Sequence, residues 1–266
     1  MSKSANGSFS KVSKKLLNRS ILRGGASVCL CLLVWEIGRA IKLPLLEAMP
    51  APSEIMGVLL KLLGDLGFWK NWISSYQRVL TGFLAAQLIG IPFALAMAVS
   101  RVFYGLTFST FEVIRPIPPL AWVPISIIFW PTTESSIAFV IFLGAFFTVV
   151  INVLGGARNI DVRYARTAIS LGSKPHDIFL KIILPATLPS IFTGMAVGMG
   201  ITWEVVVAAE MIAGKSGLGY LTWSSYVGGN YPQIVVGMMS IGIAGYLSSY
   251  AIRTIGRLSM PWLRIF

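Results

Sequence analysis

Arg166-Thr167-Ala168-Ile169-Ser170-Leu171-Gly172, then nine residues, then Ile182-Ile183-Leu184-Pro185: this polar, glycine-punctuated stretch stands between two long apolar runs, in a chain built mostly of apolar runs. Of its 266 residues, 55% are hydrophobic and 12% charged, and its mean hydropathy is +0.76. A soluble domain of this length needs far more polar surface, so the chain reads as an integral membrane protein. A spanning helix takes about 20 apolar residues. The pattern predicts an all-α membrane domain over residues 21–260, with six spans at 22–41, 76–99, 102–130 (broken), 136–155, 187–212 and 233–252. The runs are too long for barrel strands and lack period-two alternation.

Charge orients the bundle. The net charge is +12. With both termini in the cytoplasm, the inner segments hold Lys3, Lys11, Lys14, Lys15, Arg19, Arg23, Arg101, Arg158, Arg163, Arg166, Lys174, Lys181, Arg253, Arg257 and Arg264. That is 15 of the 22 basic residues, against Asp161 and Asp177 of the acids. This is the bias expected of cytoplasmic loops, and it explains the basic balance without nucleic acid. Residues 1–20 read as a basic cytoplasmic tail. Cys29 and Cys31 sit inside an apolar run and suggest neither a disulfide framework nor a metal site.

Several local features follow. Glu36 and Arg39 are spaced to pair on one helix face. Pro50-Ala51-Pro52-Ser53-Glu54 leads into an amphipathic helix with Ser53 as its expected N-cap, lying at the outer surface. Gln87 reads as the strongly polar residue inside the second span, and Pro92 is expected to bend it. Pro116, Pro118, Pro119 and Pro124 crowd the third span. Each removes a backbone donor, and irregular backbone at membrane depth survives only inside protein or along a wet cavity. A helix break facing the protein interior is the expectation. Gly194 and Gly198 permit close helix contact, and the Gly-rich segment 213–232 reads as an outer loop dipping towards the membrane.

The segment 161–185 is helix-compatible up to Leu171, and Gly172 can take the positive φ that ends a helix. A second short helix from Pro175 to Pro185 would complete a rigid knob beneath the membrane. Spacing alone does not separate such a knob from an ordinary amphipathic connector. Ala209-Glu210-Met211-Ile212-Ala213-Gly214-Lys215-Ser216 loosely fits a phosphate-binding loop, but the strand that must precede one is missing. The single histidine, His176, supports neither a hydrolytic triad nor a metal site. Glu112, Glu204 and Glu210 fall within spans, where charge is expensive and marks functional suspects; Glu112 and Arg115 are spaced to neutralise each other.

The opening stretch resembles the cytoplasmic loop of permease subunits of ABC importers: Glu-Ala-Ala, three residues, Gly, nine residues, Ile-x-Leu-Pro. Gly172, Ile182, Leu184 and Pro185 match it, while Arg166 stands at the usual Glu and Thr167 at the first Ala. Arg115-Pro116-Ile117-Pro118-Pro119-Leu120-Ala121-Trp122-Val123-Pro124 resembles a signature of the taurine, alkanesulfonate and nitrate permeases, and Trp203 with Val206 to Met211 resembles their fifth span.

What the resemblance implies is a type I ABC importer permease fold, working as a homodimer in a bacterial inner membrane. Two ATP-binding cassette subunits would carry ATP and magnesium, so this chain would hold no cofactor and no catalytic residue. A periplasmic binding protein would deliver a small anion such as nitrate, bicarbonate, cyanate, taurine or an alkanesulfonate. The ATPase-coupling residues implied are Arg166, Thr167, Ala168, Gly172, Ser173, Lys174, Ile182, Leu184 and Pro185. The expected translocation pathway comprises Glu112, Arg115, Pro116, Pro118, Trp122, Trp203, Glu204 and Glu210. The rival reading is an ion-coupled secondary transporter or channel, in which the span carboxylates are the coupling sites.

Overall fold

The computed structural model describes residues 5–43 and 46–262, with side chains from residue 23 onward. Lys3, Pro44 and Arg264 lie outside the described residues. The chain is all helical, and among the described residues there is no strand. Helix α1 spans Ala5–Ala40, α2 Pro52–Leu63, α3 Leu66–Val99, α4 Arg101–Ile114, α5 Val123–Phe129 and α6 Thr133–Arg158. The second half holds α7 Val162–Ser170, α8 Pro175–Ile178, α9 Leu184–Ala213, α10 Leu218–Val227 and α11 Tyr231–Ser259.

Four helices among the described residues are long and apolar enough to cross a membrane: α3, the α8–α9 rod, α6 and α11. The bent pair of α4 with Pro119–Phe129 makes five. The expected first span, 22–41, is not among them. It lies within α1, which is helical from Ala5 and so also takes in most of the expected tail. The start of that span lies at the edge of the residues whose side chains are described. Glu36 does not pair with Arg39 but accepts from the Ser53 amide at 3.1 Å and the Ser53 hydroxyl at 2.7 Å. Ser53 is therefore not the N-cap of α2. The helix begins at Pro52, with Ala51 as its cap, because a proline suits a first turn that has no partner for its amide.

The centre of the bundle is α3, α6 and α9. Val79, Phe83, Val140, Ile141, Met199 and Val206 meet in one buried cluster. Ala94, Met97, Val149, Val150 and Ile191 form a second, nearer the end of the bundle that carries the 161–185 loop. Without a water-driven force between helices in lipid, close backbone approach does much of the holding. A side chain at Gly90 would begin 2.7 Å from Val149. Gly194 and Gly198 likewise turn towards Asn152 and Ala145 of α6. Helix α3 runs unbroken through Pro92, and Leu84, Leu88 and Ile89 point outwards as lipid-facing side chains should. The segment expected as an outer loop, 213–232, holds α10 instead, packed on α9 and α11.

Candidate functional site

Three places bear on function, and the 161–185 loop is the first. Asp161 caps α7, accepting from the Arg163 amide at 2.9 Å and from its guanidinium at 2.8 Å. The Arg163 side chain, and then its backbone amide, hold the Asp161 carboxyl below its usual range. At the other end Gly172 takes φ +80°. Its amide donates to the Ile169 carbonyl at 2.9 Å, while the Ser173 amide donates to the Ala168 carbonyl at 3.0 Å. This paired closure satisfies the last carbonyls of α7 and reverses the chain at a residue with no Cβ to strain.

Arg166 and Thr167 are exposed on α7, and Lys174 is exposed at the cap of α8. Ile182, Leu184 and Pro185 are half-buried; Leu184 packs on the second core cluster, so it anchors the loop to the bundle. The expected second short helix is not separate. Residues Phe179–Ile183 form a π-helical turn that carries α8 straight into α9. The loop also presents Val162, Tyr164, Ile169 and Leu171 to the outside, the last 80% exposed. The sequence reading passed over these four, although large apolar side chains on a polar loop were the available signal.

The broken span is the second place. Helix α4 ends at Ile114, and the chain turns through 87° before Pro119–Phe129 continues. Glu112 and Arg115 pair at 3.2 Å, as their spacing predicts. Arg115, Pro116, Ile117 and Pro118 are exposed on this chain, so the break does not face this chain's own interior as expected. Trp122 is half-buried, and its indole N–H has no protein partner. Beside the break lies a groove of about 200 Å³ lined by Arg115, Pro119, Gly144, Thr148, Ile151 and Ile201. Glu204 is exposed one turn beyond Ile201 on α9.

The third place is a buried polar cluster towards the opposite end from the loop, which takes in two of the expected pathway residues. Glu210 is fully buried. It accepts from Arg78 at 2.8 Å, from the Ser75 hydroxyl at 2.8 Å and from the Gly219 amide at 2.9 Å. Arg78 also forks onto Glu134, at 2.6 and 2.7 Å, and donates to the Ser216 carbonyl at 2.6 Å. Trp203 is buried too, donating to the Ser248 hydroxyl at 3.2 Å with its ring edge-on to Tyr76. Glu210 and Trp203 thus face the interior of the chain, away from Arg115 and Glu204, which are exposed. Gln87 is not alone as a polar residue within α3: Arg78 is buried there as well. Within the segment 209–216, Glu210 and Ser216 accept from Arg78, and the end of α9 stands before the turn where a phosphate-binding loop needs a strand.

The family described as binding-protein-dependent transport system inner membrane component matches residues 88–265. The chain is 34% identical over 259 residues to a putative ABC transporter permease protein of Methanocaldococcus jannaschii, covering 96% of this chain and 97% of that protein. It is 31% identical over 251 residues to the taurine transport system permease protein of Escherichia coli, covering 92% and 91%. Against the nitrate import permease protein of a Synechocystis species the figures are 31% over 253 residues, 91% and 90%. Among solved structures, an inward-facing form of the MetNI methionine ABC transporter matches with TM-score 0.59 at 20% identity, covering 79% of this chain and 99% of that one, which shows a shared fold. The chain belongs to the family of binding-protein-dependent transport system inner membrane components, as an ABC transporter permease.

Proposed function

We propose that this chain forms the membrane pathway of an ATP-driven importer for a small anion of the nitrate, bicarbonate or sulfonate kind. It works as a homodimer in the inner membrane, with both termini in the cytoplasm. ATP and magnesium are handled by two separate ATPase subunits, and a binding protein delivers the anion from outside. The observation that carries this reading is the 161–185 loop: a capped helix, α7, with exposed apolar side chains, turned at Gly172 onto α8, which is continuous with a spanning helix through a π turn. Such a knob suits a partner that must move a span without bending the joint. A partner with different affinity for two arrangements of the bundle then drives alternation between them.

The likeness to taurine and nitrate permeases supports an anion as cargo. Arg115, at the break beside a groove open to the surface of this chain, supplies positive potential where an anion would pass. Glu112, Pro116, Pro118, Trp122 and Glu204 stand with it as pathway candidates. The ion-coupled rival needs span carboxylates free to load protons; Glu210 and Glu112 are tied to arginines, which leaves it Glu204. The test is to purify the chain from its native membrane. A stoichiometric ATPase subunit, lost when residues 166–174 are scrambled, supports the importer. A homo-oligomer that moves solute without any ATPase overturns it.

A further inference from the structure

Glu204 lies inside the span Leu184–Ala213, a helix apolar enough to cross a membrane. Trp203 and Val205 beside it are buried, while Glu204 itself is exposed. Between positions 193 and 207 the exposed residues of α9 are Thr193, Val197, Gly200 and Glu204, which recur at helical spacing and share one face. Apart from Val197 that face is small or polar, unlike the face of α3 that turns Leu84, Leu88 and Ile89 outwards. A carboxylate there is costly against lipid and belongs against water or protein. Among the described residues Glu204 has no hydrogen-bond or ion-pair partner.

The break packs on this same turn of α9. A Cβ at Gly144 of α6 would lie 3.2 Å from Val205, 3.4 Å from Ile201 and 3.5 Å from Pro119, so these three side chains meet at one point. Arg115 shares its groove with Pro119 and Ile201. Glu112 engages Nε and Nη2 of Arg115 at 3.2 and 3.3 Å, which leaves Nη1 without a partner among the described residues. One guanidinium and two carboxylates thus border the contact between the break and α9, and negative charge is in excess there.

On the reading that this face lines the pathway, we propose that the cargo carries a protonated amine beside its acid group and that Glu204 receives the amine. The acid group meets the spare donor of Arg115. A bare anion such as nitrate or bicarbonate finds a guanidinium already shared with Glu112 and meets the unopposed charge of Glu204, a like-charge contact that works against binding. A zwitterion relieves both: its amine offsets Glu204, its acid completes Arg115, and it brings no net charge into the span. Glu204 lies about 4.5 Å along α9 beyond Ile201 at the groove, a distance that a short amino acid bridges. The cargo class is a small aminosulfonate, aminophosphonate or β-amino acid, and Glu204 sets the preference for it over bare anions.

The test uses the purified chain with whatever subunits accompany it, in nanodiscs without the binding protein, so that the membrane pathway alone selects. Equilibrium binding is compared within three labelled pairs: 2-aminoethanesulfonate and ethanesulfonate, 2-aminoethylphosphonate and ethylphosphonate, β-alanine and propionate. Wild type is expected to bind the amine of at least one pair roughly tenfold more tightly, near the low end for a close charge pair. Glu204→Gln brings that ratio close to one without weakening the amine-free member, and Glu204→Asp keeps part of it. Equal binding within every pair, binding of none of the probes, or an unchanged ratio in Glu204→Gln overturns the proposal. So does loss of the dimer in Glu204→Gln, which would assign the carboxylate to the second copy. Arg115→Ala separates this failure from failure of the pathway reading. It weakens both members of a pair if the face lines the pathway, even where Glu204 selects nothing, and neither member if the pathway lies elsewhere.

Discussion

Arg78 and Glu210, 132 positions apart in sequence, meet at 2.8 Å inside the helix bundle, where the glutamate is fully buried. The pair joins α3 to the end of α9, and Arg78 extends it to Glu134 on α6 and to Ser216 before α10. Four elements thus share one guanidinium. Charges so deep are tolerated when each is paired and its remaining donors and lone pairs are filled, a condition this cluster meets.

Removing Arg78 leaves Glu210 buried and uncompensated. Arg78→Leu is expected to destabilise the bundle by about 3–5 kcal/mol, stranding Glu210. Glu210→Gln keeps the shape and leaves Arg78 with Glu134, so a loss of about 1–3 kcal/mol is expected. Thermal unfolding in detergent or nanodiscs checks the order. Equal effects would mean that Arg78 does not hold the cluster together.

Gly217 takes φ +115°, and a side chain there would collide with the Glu210 carboxylate. Gly217→Ala is expected to unfold the α9–α10 corner and lower expression sharply. Gly200→Ala, where a Cβ meets nothing within 4 Å, should be tolerated. Limited proteolysis around residues 213–217 distinguishes the two variants.

Gly172 stands in the left-handed region with open space around it. Substitution by Val strains the backbone by about 1–2 kcal/mol and loosens the end of α7. Thermal stability of the bundle should barely change, while co-purification of an ATPase subunit falls. Gly172→Asn, which tolerates that conformation better, should retain more of it.

Asp161 owes its lowered pKa to Arg163, and the sign of its pH effect follows. In the folded loop the carboxyl stays ionised at pH values where a free aspartate takes up a proton. Its contribution to holding the start of α7 is therefore full above the unfolded value of about 3.9 and is lost as pH falls through the lower folded value. Asp161→Asn should remove that contribution at neutral pH and flatten the acid dependence, read as hydrogen exchange at residues 162–165.

Arg115→Ala should reduce anion uptake by reconstituted importer at least tenfold. ATPase association should remain intact, because the break and the loop are separate structures. Arg115→Lys should recover part of the uptake. Full uptake by Arg115→Ala would remove the electrostatic role given to this residue.

The features visible in the sequence were those made by neighbouring residues. Gly172 with its spacing to Pro185 announced the loop, and the prolines from Pro116 to Pro124 announced the break, because backbone chemistry acts locally. The Arg78 cluster was hidden because its bonds join residues more than fifty positions apart. Helix α3 starts at Leu66, ten residues before the expected 76, because Lys70 and Asn71 break up the apolar pattern of its first turns. In the fold Asn71 accepts from the Gly217 amide at 2.8 Å and Arg78 is buried, so these two polar residues serve the interior. Glu210 drew notice as a carboxylate within a span and Trp203 through the family resemblance; in the fold both are buried within one chain.

The π turn at Phe179–Ile183 has a mechanical consequence. Because it fuses α8 to α9, Pro175–Ala213 is a single strut of 39 residues, roughly 55–60 Å long, with Lys174 just beyond one end and Glu210 near the other. A continuous strut passes displacement along its length, bending at most at the π turn and at Pro189. Tilt imposed at the Lys174 end becomes an opposite sweep at the Glu210 end, where Arg78 grips it against two other helices. That grip acts as a fulcrum or a brake according to how far the tip is asked to travel.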